Sequence, residues 1–252
     1  MTRHPESAGL PSQVETARGD LSRPETLDRC LEGVEAVFLI WSAASGAVAP
    51  ALERITHRAR RVVFLSSPHK TDHPFFQQPN PVRALHLKIE DLIEASGVEW
   101  TFLRPGMFAA NVRHWWALRI RSGDVVRWPY AAACTAPIHE RDIAAAAVRC
   151  LCEDGHAGAE YVLTGPESLS QAEQVATIGR AISRPLRMEE ISPDEARREL
   201  NMPPPVLDML LNAWAAAVGQ PAFVTSTVAE ITGVPARPFF EWAVENAAAF
   251  RR

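Results

Sequence analysis

Several polar side chains could bind a ligand together, because each follows a stretch that reads as a strand of one sheet. Hydroxyl, carboxylate and indole groups can hydrogen-bond sugars, amides and bases. In parallel sheets with helices on both faces, ligands bind beyond the carboxyl ends of the strands. The sequence therefore predicts one polar crevice, lined by Asp20 with Leu21, Trp41 with Ser42, Ser66 with Ser67, and the segment 104–107.

The elements that must position these groups alternate along the chain. Continuous apolar runs typical of parallel strands covered on both faces lie at 36–40, 61–65 and 100–103. Helical spacing of apolar residues lies at 48–59 and 81–96, and Gly97 can end the second helix. A strand at 14–21 and a short helix at 22–31 are expected before them. This alternation predicts an α/β fold with a doubly wound, Rossmann-like parallel sheet.

The second half differs in composition. Helices are expected at 141–151 and 170–183, with a strand at 160–166 between them. From residue 193 the chain becomes helical and rich in aromatic residues, which predicts a small C-terminal helical lobe that covers the crevice. We expect a dinucleotide-binding-like core over 1–135, and the remainder of the core with this lobe over 136–252, in a single structural unit.

The chain lacks the glycine-rich phosphate loop of nucleotide-binding folds. No two of its 13 glycines stand two residues apart, so G-x-G-x-x-G is excluded. In that loop, bare backbone and a helix N-terminus hold the pyrophosphate. Two explanations stay open. Either the natural start lies upstream of Met1, or the fold is N-terminally truncated and has lost its first βα unit.

Composition and motifs exclude several other classes. The net charge of −4 argues against a surface that coats nucleic acid or an anionic membrane. The four cysteines form no C-x-x-C and are expected to be buried thiols in a reducing cytoplasm. His69 and His73 stand four apart, but Pro74 indicates a loop and no third ligand is evident, so no metal is expected.

Together these segments resemble the NmrA-like family, an atypical branch of the short-chain dehydrogenase/reductases. The matching landmarks are G-D-L at 19–21, G-V-E-A-V-F at 33–38, the serines at 66–67, S-G-V-E-W-T-F-L-R-P-G at 96–106, R-D-I-A at 141–144 and L-T-G-P-E at 163–167. The resemblance implies NAD(P) binding. Its members include reductases of small quinone, carbonyl or alkene substrates, and redox-sensing regulators that bind the dinucleotide without turning it over.

The resemblance assigns roles to particular residues. Lys88 is expected to hold the nicotinamide ribose and, with Ser66, to orient the cofactor for catalysis. Ala84 occupies the position where short-chain dehydrogenases carry the tyrosine that donates the proton, so water or the substrate is left to supply it. Tyr130 is the only candidate for a replacement acid.

The remaining roles divide between cofactor and substrate. Arg3 suits a ribose 2′-phosphate, which favours NADP over NAD. Asp20 can accept a hydrogen bond from the adenine amine, with Leu21 supplying backbone contact. The expected cofactor contacts are completed by Trp41, Ser42, Ser66, Ser67, Pro105 and Gly106. The expected substrate pocket consists of Met107, Phe108, Asn111 and Trp115.

Three functions therefore stay open. The first is an NADP-dependent oxidoreductase that acts on a small apolar carbonyl, quinone or enone. The second is a non-catalytic NADP(H)-sensing regulatory protein with a protein partner. The third is a repurposed fold that binds no dinucleotide. In each case we expect a cytoplasmic monomer or homodimer that binds neither nucleic acid nor membrane.

Overall fold

A computed structural model describes all 252 residues, Met1–Arg252. The chain divides into two compact units that interleave along the sequence. The first unit contains Met1–Ser67, Pro81–Leu103 and Ala147–Tyr161. The second unit contains Pro68–Asn80, Arg104–Ala146 and Val162–Arg252. The division predicted after residue 135 stays a prediction.

Strands and helices are numbered here in chain order. The strands are β1 Ala36–Leu39, β2 Arg61–Leu65, β3 Glu99–Pro105, β4 Val125–Trp128, β5 Cys134–Thr135, β6 Ala159–Leu163, β7 Leu169–Ser170 and β8 Arg187–Glu190. The α-helices are α1 Val48–Arg58, α2 Pro81–Ala95, α3 Asn111–Ser122, α4 Glu140–Cys152, α5 Gln171–Ala181, α6 Pro193–Glu199, α7 Pro204–Ala217, α8 Thr227–Thr232 and α9 Phe239–Glu245. None of these helices is long and apolar enough to cross a membrane.

The main sheet has the strand order β1-β2-β3-β6, and its first three strands are parallel. Val62, Val63 and Phe64 of β2 are fully buried, as expected of an interior strand covered on both faces. Helix α1 buries Val48, Ala51, Leu52 and Ile55 at helical spacing. The predicted Rossmann-like α/β fold is confirmed.

The N-terminal segment corrects two expectations. No strand forms over 14–21; Thr2 and Arg18 instead form an isolated parallel bridge. The chain around Val14 is exposed, so it offers no apolar face that could hold a longer ladder against the core. The helix expected over 22–31 is two short 3₁₀ turns, Pro24–Thr26 and Asp28–Leu31.

The second unit is built around tryptophans. Trp116, Trp128, Trp214 and Trp242 are almost completely buried in its core cluster. Two small sheets support them, a parallel pair of β4 with β8 and an antiparallel pair of β5 with β7. Ser170 and Ser192 begin helices α5 and α6 with capping boxes. Their serine hydroxyls and N–H groups hold the pKa of Glu173 and of Glu195 below the usual range.

The cysteine prediction holds for one residue. All four thiols are free, but only Cys150 is buried, whereas Cys152 is exposed and Cys30 and Cys134 are half-buried. Residues two apart on a helix lie about 200° apart around its axis. Helix α4 therefore turns Cys150 inward and Cys152 outward.

Candidate active site

Two serines end β2, and two polar side chains of helix α2 meet them within the first unit. The buried Ser66 hydroxyl donates to Glu90 Oε1 at 2.6 Å. The half-buried Ser67 hydroxyl lies 3.0 Å from His86 Nδ1. Ser66 N also donates to Leu103 O of β3 at 2.7 Å, which extends the backbone ladder past β2. The serine pair is therefore fixed from both sides.

The sequence places His86 and Glu90 here through helix geometry. They stand four residues apart, one turn of α2, beside the buried Ile89 and Ile93 that pack this helix on the core. The His86 ring packs edge-on against Phe64 of β2, with 5.4 Å between ring centroids. Glu90 is only 1% exposed, so this carboxyl belongs to the buried face of the helix.

Lys88 lies on a different face of the same helix. It is exposed, like Ala84 one turn before it, and takes no part in the serine contacts. Two residues correspond to about 200° of helix, so the face that carries His86 and Glu90 cannot also carry Lys88. The cofactor role of Lys88 stays a prediction. Sequence reasoning missed His86 and Glu90, and the signal was their spacing inside an apolar helical face.

The residues after β1 are held by local contacts. Trp41 Nε1 donates to Ala43 O at 2.6 Å, and the indole packs on the core of the first unit. Ser42 is exposed. Trp41 therefore shapes the turn, whereas Ser42 presents a hydroxyl to solvent.

A basic cavity of about 600 Å³ lies at the N-terminal end of the first unit. Its lining residues are Arg3, His4, Arg18, Gly19, Asp20, Arg23, Thr26 and Arg29. Arg18 Nε donates to Arg3 O at 3.2 Å, which ties two sides of the cavity together. A Cβ at Gly19 would lie 2.6 Å from Met1 Sδ and 2.7 Å from Cys30 Sγ, so these side chains would have to move. Four guanidinium groups against one carboxylate make the cavity suited to an anion.

Asp20 is engaged within its own turn. Its Oδ1 accepts from Ser22 Oγ at 2.6 Å and from Ser22 N at 2.9 Å. These hydrogen bonds, with smaller contributions from Arg3 and Arg23, lower the pKa of Asp20. Leu21 is buried in the core cluster. The predicted adenine contact of this pair stays a prediction, since Asp20 already caps the turn.

Two hydrogen-bonded segments fix the predicted nicotinamide-side loop of the second unit. Gly106 N donates to Leu163 O at 2.9 Å, and Ile138 N donates to Met107 O at 2.8 Å. Arg104 and Pro105 before them are buried. Asn111 Nδ2 lies 3.0 Å from Met107 Sδ, so Asn111 orients Met107. The loop is therefore rigidly placed within its unit.

Met107 contributes to a narrow aromatic pocket of the second unit. The pocket has room for about one water molecule, ≈ 10 Å³. Its lining residues are His73, Phe75, Phe76, Gly106, Met107, Cys134, Thr135, Ala136, Thr164, Ala222 and Phe223. Phe75 and Phe76 meet edge to face at 5.1 Å between centroids. The apolar rings form a wall, and the space between them is too small for a ligand larger than water.

His73 is locked in one tautomer in that pocket. Its Nδ1 accepts from Phe75 N at 3.3 Å, so the ring proton sits on Nε2, which donates to Pro221 O at 3.0 Å. The two hydrogen bonds join the loop around residue 73 to the loop around residue 221. His73 therefore organises the pocket.

The four residues predicted for the substrate pocket do not share one cavity. Met107 lines the aromatic pocket, and Asn111 contacts Met107. Phe108 bridges through its backbone to Ile138. Trp115 lines a separate open groove of about 660 Å³ with Trp128 and Arg119. The grouping of Trp115 with Met107 lacks support from this geometry.

The residues present fit a phosphorylated dinucleotide at two places in the first unit. The arginine cavity suits a phosphate, and the serine pair offers hydroxyls at the carboxyl end of a central strand. The pyrophosphate has no glycine-rich cradle in this chain.

Comparison with known proteins gives the class. The profile of the NAD(P)H-binding family matches residues 1–154. The chain belongs to this family. A solved NmrA structure shares its fold at a TM-score of 0.65 and 17% identity, over 90% of this chain and 79% of that structure. The predicted NAD(P) binding and the predicted oxidoreductase class are confirmed.

Particular relatives sharpen this class. The chain is 39% identical to the (4-alkanoyl-5-oxo-2,5-dihydrofuran-3-yl)methyl phosphate reductase of Streptomyces griseus, over 94% of this chain and 84% of the relative. It is 34% identical to an NAD(P)H azoreductase of Xenophilus azovorans, with the same two coverages. An NADPH-dependent quinone oxidoreductase of Escherichia coli, solved with NADPH, has the same fold at a TM-score of 0.74 and 22% identity, over 92% of this chain and 83% of that structure.

Proposed function

We propose that this protein is an NADPH-dependent reductase of small, flat, conjugated molecules such as quinones and enones. The relatives are named for reducing a dihydrofuranone phosphate and an azo compound, and a protein of the same fold is named for quinones. These acceptors share a planar conjugated group that takes up two electrons. The apolar rings of the aromatic pocket of the second unit offer a surface against which such a group can stack.

We assign the preference for NADPH over NADH to the arginine cavity. A 2′-phosphate is the one group that distinguishes NADPH from NADH, and guanidinium forks bind phosphate oxygens in pairs. Arg3 and Arg23 flank the single carboxylate of the cavity, and both lower its pKa after the hydrogen bonds from Ser22. A ligand phosphate would meet these two guanidinium groups and those of Arg18 and Arg29.

The chain's own residues have positioning roles in this proposal. When bound, the reduced nicotinamide supplies a hydride to the acceptor. Ser66 and Ser67 orient ligand groups beyond the end of β2, and the Gly106–Met107 segment holds a fixed wall in the second unit. Phe75, Phe76 and Phe223 surround a space of only about 10 Å³, so their apolar rings act as a wall and do not enclose the acceptor.

The reductase activity is tested with a panel of acceptors. We expect the protein to oxidise NADPH in the presence of quinones or enones. The loss of absorbance of the reduced nicotinamide measures this reaction. Binding of NADPH without turnover of any acceptor would contradict the proposal. Unequal affinities for NADPH and NADP without turnover would then favour the sensor.

The cofactor choice is tested by the double substitution Arg3→Ser with Arg23→Ser. Loss of two charge-assisted hydrogen bonds should weaken NADPH binding by roughly 30- to 100-fold. Binding of NADH should change by less than about threefold, because it has no 2′-phosphate. Calorimetry measures both constants, and Arg251→Ser, at the exposed C-terminus, is the matched control. An equal loss for both cofactors would refute the assignment.

The four free cysteines fit a reducing compartment. We propose on this basis that the activity lies in the cytoplasm.

A further inference from the structure

The polar face of α2 brings an acid–base side chain to the serine that is within reach of solvent. His86 Nδ1 lies 3.0 Å from Ser67 Oγ, and both residues are half-buried. Ser66 beside them is buried, and its hydroxyl proton is committed to Glu90 at 2.6 Å. Of the two serines, Ser67 is therefore the one able to pass a proton to a ligand.

We propose that His86 is a catalytic residue that supplies a proton to the reduced substrate through the Ser67 hydroxyl, while Glu90 is a positioning residue that holds Ser66. The inference rests on the proposed reductase function and identifies the proton source that Ala84 leaves unassigned. Histidine is the side chain that exchanges protons near neutral pH. Its half-exposed ring can regain a proton from water.

The step balances as follows in atoms and charge. A conjugated acceptor that has gained a hydride from NADPH carries its new electron pair on oxygen. That oxygen takes the proton of Ser67 Oγ, and Ser67 Oγ takes the proton of His86 Nδ1. The imidazolium becomes neutral imidazole, NADPH has become NADP⁺, and the substrate has gained one hydride and one proton.

The other candidate acids are engaged elsewhere. In the first unit, Tyr161 Oη lies 2.9 Å from His156 Nδ1, in a separate contact. Tyr130 packs against the core of the second unit with a positive φ of 56°. Lys88 is exposed on another face of α2. The contact with Ser67 therefore distinguishes His86 from each of them.

Glu90 explains why the serine pair keeps its geometry. A carboxyl that is 1% exposed is costly unless it is hydrogen-bonded, and Ser66 provides one such bond. The bond ties α2 to the end of β2 one helical turn beyond the His86 contact. Glu90 acts through Ser66 and does not touch the reacting atoms.

The test compares His86→Asn with the same substitution at the exposed His57. Asparagine keeps a polar group toward Ser67 but cannot deliver a proton. We expect kcat to fall by about 100-fold or more in His86→Asn, since general acid catalysis contributes roughly 10²–10⁴. NADPH affinity by calorimetry should stay within about twofold. His57→Asn should match the wild type, and added imidazole should restore kcat to His86→Ala.

A second measurement does not depend on turnover. The ring nitrogen signals of His86, followed by NMR in the free protein, should shift in Ser67→Ala, whereas those of His57 should not. Full activity in His86→Asn, or His86→Ala that binds NADPH but is not rescued by imidazole, would overturn the role of His86 while leaving the reductase proposal intact. A wild-type protein that binds NADPH and reduces no acceptor would overturn both.

Discussion

The two ends of β2 carry different polar networks, one built on an arginine and the other on two serines. At its first residue, Arg61 is 5% exposed and its guanidinium binds two carboxylates and the backbone at the end of α4. At its carboxyl end, Ser67 and His86 are half-buried, and Ser67 Oγ lies 3.0 Å from His86 Nδ1. One strand therefore carries a closed polar network at one end and an open one at the other.

The closed end fastens three elements together. Arg61 Nε donates to Glu99 Oε2 at 3.0 Å, and its Nη2 donates to Asp154 Oδ1 at 2.8 Å. Its Nη1 reaches the backbone oxygens at the end of α4, those of Cys150, Leu151 and Glu153, at 3.4, 3.1 and 2.7 Å. The Arg61 guanidinium thus satisfies carbonyls that a helix end leaves without donors.

The comparison of the two ends indicates that one strand can stabilise the fold at one end and present reactive groups at the other. At the Arg61 end, the charged groups bind one another and the end of a helix, so they stabilise the fold. Where a hydroxyl and an imidazole meet water, a proton can enter and leave. Substitutions at the two ends should therefore affect different measurements.

The largest expected effect is the loss of stability in Arg61→Met. It removes the buried partner of Glu99 and Asp154 and leaves three carbonyls of α4 without a donor, so we expect a loss of about 3 kcal/mol in the free energy of unfolding. Urea denaturation measures it. Arg60→Met is the matched control, because Arg60 also binds Glu99 but is exposed, and should cost less than about 1 kcal/mol.

Turnover separates this loss from chemistry. The kcat of folded Arg61→Met should equal that of the wild type, since Arg61 lies at the other end of the strand from the serines. A kcat that falls together with the free energy of unfolding would show that the two ends of β2 do not act independently.

A smaller loss is expected at the open end in Glu90→Leu. It leaves the buried Ser66 hydroxyl without its acceptor, so we expect about 1–3 kcal/mol less stability. Glu90→Gln keeps an oxygen for Ser66 and should lose less than half as much. Urea denaturation of both variants decides this. Equal stability of the two would show that the hydrogen bond to Ser66 does not hold the helix.

The smallest expected effect is the change in stability with pH that Glu99 causes at the Arg61 end of β2. Hydrogen bonds from Arg61 and then Arg60 hold the pKa of Glu99 below its usual value of 4.5. A lowered carboxyl pKa contributes stability above 4.5, and the contribution is lost as the pH falls through the folded value. The difference in stability between wild type and Glu99→Gln should therefore be constant near neutral pH and shrink below pH 4.5. A difference that does not change in acid would contradict the assignment.

Much of the fold could be predicted because its signals are local. The strand expected over 61–65 and the helix over 81–96 form almost as predicted, since buried apolar runs and helical spacing identify them directly. The strand expected over 14–21 does not form, because strand propensity without an apolar face cannot hold a ladder. The short strand Val125–Trp128 went unpredicted, because its partner Arg187–Glu190 is distant in sequence.

The candidate site was predicted in part for the same reason. Ser66 and Ser67 follow a recognisable strand, so their place at its carboxyl end could be predicted. The choice between Lys88 and His86 depends on which way α2 is turned against the sheet. That rotation is set by Ile89 and Ile93 packing on the core, which a single helix position does not reveal.

The location of the aromatic pocket on loops affects how this protein can evolve. Phe75, Phe76 and Phe223 lie on loops, whereas His86 and Glu90 lie on a helix that packs on the sheet. Loops accept substitutions and insertions that regular elements do not. Substitutions in these loops can therefore change which acceptors are reduced without altering the sheet. A library randomised at these three positions should contain folded variants with new acceptor preferences.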